Sequence, residues 1–125
     1  MGKVAPDATI DSMFDYIDQC DLMTICNAEP TTYTEAVTTF KLADVALTPD
    51  TDFTKADGDT NGRKVTIAAK SAVPVDTSGT ATHVAIVRTT GTTLRYVTTC
   101  TSQALTSGNT VNIPAWDIEV ADPTP

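Results

Sequence analysis

Between Thr82 and Asp122 the chain alternates strand-forming runs with turns too short to hold a helix, and that spacing most constrains the fold. His83-Val84-Ala85-Ile86-Val87-Arg88 reads as one strand, Leu94 to Cys100 as the next, and Thr110 to Val120 as the last. Only Thr89-Thr90-Gly91-Thr92-Thr93 separates the first two, a length that suits an antiparallel hairpin. The last run carries a conflict of parity. Val111 and Ile113 share one side of an extended chain, whereas Trp116, Ile118 and Val120 fall on the other. A break or bulge at Pro114-Ala115 is therefore expected, so that both sets reach one core.

Upstream, Asp7 to Cys20 has the spacing of an amphipathic helix: Ile10, Met13, Phe14 and Ile17 recur at i, i+3, i+4 and i+7, with Cys20 one turn further on. Pro6 suits its first turn, and Asp7 and Asp11 suit the positive end of its dipole. Asp15, Asp18 and Asp21 are on the outer side at the wrong end of that dipole, which points to solvent or to a partner's basic groups. Leu22-Met23-Thr24-Ile25-Cys26 is a short strand. Residues Thr31 to Phe40 read as irregular with a helical turn near Glu35, and Leu42 to Leu47 as a strand or connector. Asp57-Gly58-Asp59-Thr60-Asn61-Gly62 is a turn. Lys64 to Lys70 alternates cleanly, with Val65, Ile67 and Ala69 on the buried side. Val73-Pro74-Val75 suits a sheet edge, since proline donates nothing to a ladder.

These elements predict a mainly β fold, an antiparallel sandwich or open barrel of about seven short strands with one N-terminal amphipathic helix. The expected organisation is one β-rich domain over 1–125: an arm over 1–6, the helix over 7–20, the β domain over 22–121 and a tail over 122–125. Trp116, Tyr96, Phe14 and Ile86 are the expected centre of the core. Threonine, about one residue in five, suits pleated strands with one wet face.

Charge narrows the function classes. Sixteen acidic residues against eight Lys and Arg leave a net charge of -8. Lys64, Lys70, Arg88 and Arg95 are scattered singly, so nucleic acid and anionic membrane surfaces are not expected partners. No apolar run approaches the ~18 residues of a membrane span. The first residues lack the apolar core of a secretory signal, so Cys20, Cys26 and Cys100 are expected as reduced, mostly buried thiols, with oxidative pairing of Cys20 with Cys26 or Cys100 outside the cell left open.

Candidate chemistry is sparse. Asp57-x-Asp59-x-Asn61-Gly62 matches the first half of a calcium loop, but Ala68 stands where the bidentate glutamate belongs; a turn capped by its own Asx side chains is the alternative. His83, the one histidine, sits within a strand and is expected to be structural. One His and three scattered Cys do not make a zinc site, and neither GxGxxG nor GxxxxGK[ST] occurs. No catalytic, cofactor-binding or metal-ligating residue is therefore assigned, and the chain is expected not to be an enzyme.

Several stretches resemble a group of small structural proteins of tailed bacteriophages and prophages. They are Gly79 to Val87, Leu94-Arg95-Tyr96-Val97, Leu105 to Trp116 with its Gly108-Asn109 turn before Thr110-Val111, Leu22 to Val37 and above all Ala28 to Ala36 within it, and Gly62 to Thr66. The likeness covers most of the chain from Asp7 on. It implies a non-enzymatic virion protein without cofactors, made and folded in the host bacterial cytoplasm. The implied role is capsid decoration or cement, binding the major capsid protein or other virion proteins and copies of itself. Neck, collar or tail-fibre attachment is the alternative placement. A carbohydrate-binding module using Trp116, Tyr33 or Tyr96 is an alternative of another class.

Overall fold

The computed structural model of the chain describes residues 7–59 and 62–120. Helix α1, Asp7–Ile17, is followed by nine strands: β1 (Leu22–Cys26), β2 (Lys41–Ala46), β3 (Phe53–Asp57), β4 (Arg63–Ile67), β5 (Lys70–Pro74), β6 (Gly79–Arg88), β7 (Thr93–Leu105), β8 (Thr110–Ile113) and β9 (Trp116–Val120). Every strand pairing is antiparallel. One sheet runs β2-β1-β6-β7, a second runs β3-β4-β9, and β5 and β8 form a two-stranded ribbon. The fold is thus mainly β, open rather than closed, with one N-terminal helix, as the sequence predicts. The predicted arm over 1–6 and tail over 122–125 lie outside the described residues.

The parity conflict at the end of the chain resolves into a break. β8 stops at Ile113 and β9 starts at Trp116, and the two pair with different partners, β8 with β5 and β9 with β4. Val111, Ile113 and Ile118 all reach the main core, and Trp116 and Val120 pack against it. The hairpin between β6 and β7 is also as expected, and Gly91 there has φ +84, a conformation that costs a residue without Cβ little.

Several expectations need correction, beginning with the strand count, which is nine among the described residues rather than about seven. Helix α1 ends at Ile17, and Cys20 is buried beyond it, in the turn toward β1. Met13 is 55% exposed while Ile10 and Phe14 are 1% exposed, so the buried stripe is narrower than the apolar one. β4 ends at Ile67, leaving Ala69 exposed. Phe14 and Ile86 are in the core centre, but Tyr96 and Trp116 are only partly buried, at its margin, with ring centroids 6.1 Å apart.

The acidic residues around α1 are paired within the chain, against expectation. Lys55 of β3 binds both Asp15 and Asp18, the latter at 3.2 Å. Arg63 of β4 holds Asp11 at 3.0 Å, and Asp21 accepts the Thr89 N–H and hydroxyl at 2.8 and 2.5 Å. The C-terminal end of the helix receives its cations from distant strands. Arg95 donates to the Tyr16 carbonyl at 2.8 Å and Arg88 to the Gln19 carbonyl at 2.7 Å, which satisfies acceptors that the helix itself leaves unpaired.

A second, smaller core lies on the outer face of the first sheet. Ala85 and Val87 of β6 are fully buried there beneath a π-helical turn, Glu35–Thr39, which contributes Ala36. This is the helical turn expected near Glu35. Thr32 accepts the Glu35 N–H at 3.1 Å, and Glu35 accepts the Thr31 N–H and hydroxyl at 2.8 and 2.7 Å, a reciprocal cap that fixes the turn.

Candidate functional site

The residues singled out for chemistry are engaged in structure. Asp57 accepts from Arg63 at 2.9 Å across the β3–β4 turn. Asp59 accepts from Lys64 at 2.8 Å, and its own N–H donates to Glu119 at 3.1 Å. Asn61 lies outside the described residues. Among the described residues no group of three or more His, Cys, Asp and Glu side chains is placed to hold a metal ion. The carboxylates of the turn thus serve as anchors for cations of β4.

His83 is half-buried on β6, opposite Cys26 of β1 and Thr99 of β7, with its Nδ1 2.9 Å from the Thr82 hydroxyl. All three cysteines are free thiols. Burial pushes the Cys20 thiol up to about 12, against which the nearby Arg95 charge pulls only weakly. Burial also raises Cys26, partly offset by the Thr24 hydroxyl 3.6 Å away, and raises Cys100. A thiol held protonated is a poor nucleophile. In a native-state titration with an aromatic disulfide reagent, Cys100 is expected to react first. Cys20 and Cys26, with no exposed surface, are expected to react only as fast as the protein unfolds. Prompt labelling of either would contradict the packing described here.

The feature with no role inside the fold lies between the sheets. β7 ends the first sheet and β9 ends the second, and neither has a hydrogen-bonded strand on its outer side among the described residues. Three cavities follow one another along β7, two of them facing β9 and the third facing β8. The first, about 420 Å³, lies where Met13 and Tyr16 of α1 meet Tyr96 of β7 and Val120 of β9. The second, about 250 Å³, lies between Thr98 of β7 and Trp116 and Asp117 of β9. The third, about 290 Å³, reaches inward past Cys100 and Gln103 to Ile25 and Val84. Val84, Cys100, Ile113 and Pro114 line both the second and the third, so these two adjoin.

Local geometry explains why the seam stays open. β7 carries extra residues relative to β6, since His83 pairs with Thr99 but Ala81 pairs with Gln103. This bulge bends the edge away at Cys100. On the facing side, Pro114 ends β8 and cannot donate to a ladder. From Tyr96 to Leu105 β7 carries no charged residue, a pattern visible in the sequence that would have marked an unusual edge.

Two buried side-chain atoms lack a hydrogen-bond partner among the described residues, Trp116 Nε1 and Arg95 Nε. Both belong to residues that border the seam. Trp116 lines the middle cavity, and the Arg95 guanidinium stacks 3.7 Å over the ring of Tyr16, which lines the first.

No helix among the described residues is long and apolar enough to cross a membrane. Comparison with protein-family models, with curated proteins and with solved structures finds no match.

Proposed function

We propose that this chain is a non-enzymatic structural protein of a tailed-phage virion, a head decoration or cement protein that binds the shell and neighbouring copies of itself. The observation that carries the reading is the open seam: a long, uncharged sheet edge faced by a second free edge across two largely apolar cavities. Such a surface suits adhesion, because an unpaired edge offers main-chain hydrogen bonds and alternate side-chain pockets together. The resemblance of Gly79 to Val87 and of Leu105 to Trp116 to phage structural proteins supplies the setting. Capsid subunits and other virion proteins are then the partners, the virion is the location, and folding takes place in the host bacterial cytoplasm. An acidic surface keeps such a protein off packaged DNA. Imaging of purified particles tests the proposal. Regular density over the whole shell supports it, whereas density confined to the neck or tail overturns the decoration role in favour of a collar or fibre-attachment component.

One observation favours a second reading, a carbohydrate-binding module. Trp116 and Tyr96 lie side by side on the seam, with Asp117 in the same cavity as the indole. Glycan-array binding lost in Trp116→Ala, with the fold intact, would select it.

A further inference from the structure

We propose that the seam between β7 and β9 is a strand-acceptor site, filled by an extended segment of another protein that carries apolar side chains at alternate positions and basic residues at its flanks. The inference rests on the adhesive reading above and names the chemistry of the partner at that surface.

Each part of the description follows from a feature of the seam. An extended backbone is implied because β7 and β9 are both terminal strands, and one added strand would continue the ladder from either edge. Alternate apolar side chains are implied by the cavities. These lie in series along the strand direction rather than as one pit, and successive residues of a strand point to opposite faces. Acceptors are implied by the two orphaned donors. Trp116 Nε1–H is buried in the middle cavity and Arg95 Nε–H is buried behind Tyr16 of the first, and main-chain carbonyls are the acceptors an extended segment supplies in quantity.

Basic flanks follow from charge. Among the described residues, Lys41, Lys55, Arg63, Lys64 and Lys70 are each held by an aspartate of this chain. Arg88 and Arg95 are bound to the end of α1. The chain keeps a net charge of -8 after these pairings, and Asp117 lies at the seam itself, accepting from Thr66 at 2.7 Å and meeting Lys64 at 3.7 Å while its side chain stays 40% exposed. A second copy would bring the same sign of charge to the contact, whereas a partner with lysine or arginine beside its apolar run is attracted to it.

The test uses the full chain and synthetic peptides. One probe is Lys-Lys-Val-Thr-Val-Thr-Val-Lys-Lys; its comparators are the same peptide N-methylated at the valines and the same core flanked by glutamates. Trp116 is the only tryptophan, so its emission and its indole N–H resonance report on the seam directly. The basic peptide is expected to move both signals saturably and more strongly at low salt. N-methylation is expected to weaken binding roughly tenfold or more, by removing ladder hydrogen bonds. Asp117→Lys is expected to weaken the basic peptide by about tenfold, and Asp117→Asn, which removes the charge but keeps an acceptor for Thr66, is expected to weaken it in the same direction by less. Equal binding of the glutamate-flanked peptide overturns the inference, as does binding that leaves the indole unmoved. An indole signal that depends on protein concentration without peptide also overturns it, since a second copy then fills the seam. Particle imaging is independent of all these arms. Decorated shells with an inert seam would defeat this inference alone, and a peptide-binding seam on a chain missing from shells would defeat the decoration role alone.

Discussion

Phe14→Ala is expected to lower the free energy of unfolding by about 3–5 kcal/mol, while Met13→Ala changes it by less than about 0.5 kcal/mol. The two residues are neighbours on one helix, and both belong to its apolar stripe by spacing alone. Phe14 is 1% exposed and packs into the main core with Ile10, between α1 and the strands. Removing its ring deletes apolar contact and leaves a cavity that backbone and neighbours fill only in part. Met13 is over half exposed and lies on the rim of the seam, so truncation removes little buried area. A chain of this size has about 5–15 kcal/mol of stability in total, so a loss of this size can leave the alanine variant unfolded. Phe14→Leu then serves in its place, with a smaller loss in the same direction. Urea unfolding followed by Trp116 emission measures all three. Equal costs at positions 13 and 14 would mean that α1 is rotated from the orientation described.

What the sequence made legible was local. The bounds of β1, the β6–β7 hairpin and the break at Pro114-Ala115 follow from alternation, turn residues and parity, each confined to about ten neighbouring residues. The outer core beneath the π-helical turn was less visible, although a signal existed. Val84-Ala85-Ile86-Val87 is apolar on both faces, which for a strand means cover on both sides. Thr32 and Glu35, three apart, have the spacing of a helix cap. Pairings across long separations left no trace at all. Lys55 reaches Asp18, Arg63 reaches Asp11 and Arg95 reaches the Tyr16 carbonyl, yet in sequence these cations read as isolated charges. The seam was half legible: the uncharged stretch of β7 could be read directly, but its juxtaposition with β9 exists only once the two sheets are stacked.

Lys55→Met is expected to destabilise the fold at neutral pH by about 1–3 kcal/mol, and to make its stability more dependent on acid than that of the parent protein. Asp18 is 6% exposed, and burial raises its pKa above the ordinary 3.8 even though Lys55 lowers it through a hydrogen bond and its charge. A carboxyl with a raised folded pKa binds more protons folded than unfolded. Its contribution to stability therefore improves as pH falls from neutral through the folded value, and levels off below 3.8. Taking Lys55 away removes the two influences that restrain the shift, so the folded pKa climbs and the gain on acidification grows. Asp15 loses the same partner but is exposed enough to be hydrated instead. Two other carboxylates act with opposite sign. Asp21 and Asp52 also pay for burial, but hydrogen bonds from Thr89 to the first, and from Thr48 and Lys70 to the second, hold both below 3.8. Their contribution is lost only as pH falls through those lower values, in parent and variant alike. Urea unfolding of parent and variant at about pH 7.5 and about pH 4.5 reads Asp18 from the difference between the two proteins, because Asp21, Asp52 and Glu35 keep the same partners in both. The parent is expected to gain modestly on acidification and Lys55→Met to gain more, while Lys55→Met with Asp18→Asn should recover stability at the higher pH and show little pH dependence from this site. Identical pH dependence in the parent and Lys55→Met would mean that Lys55 does not control the ionisation of Asp18, and that the helix is anchored to β3 by packing alone.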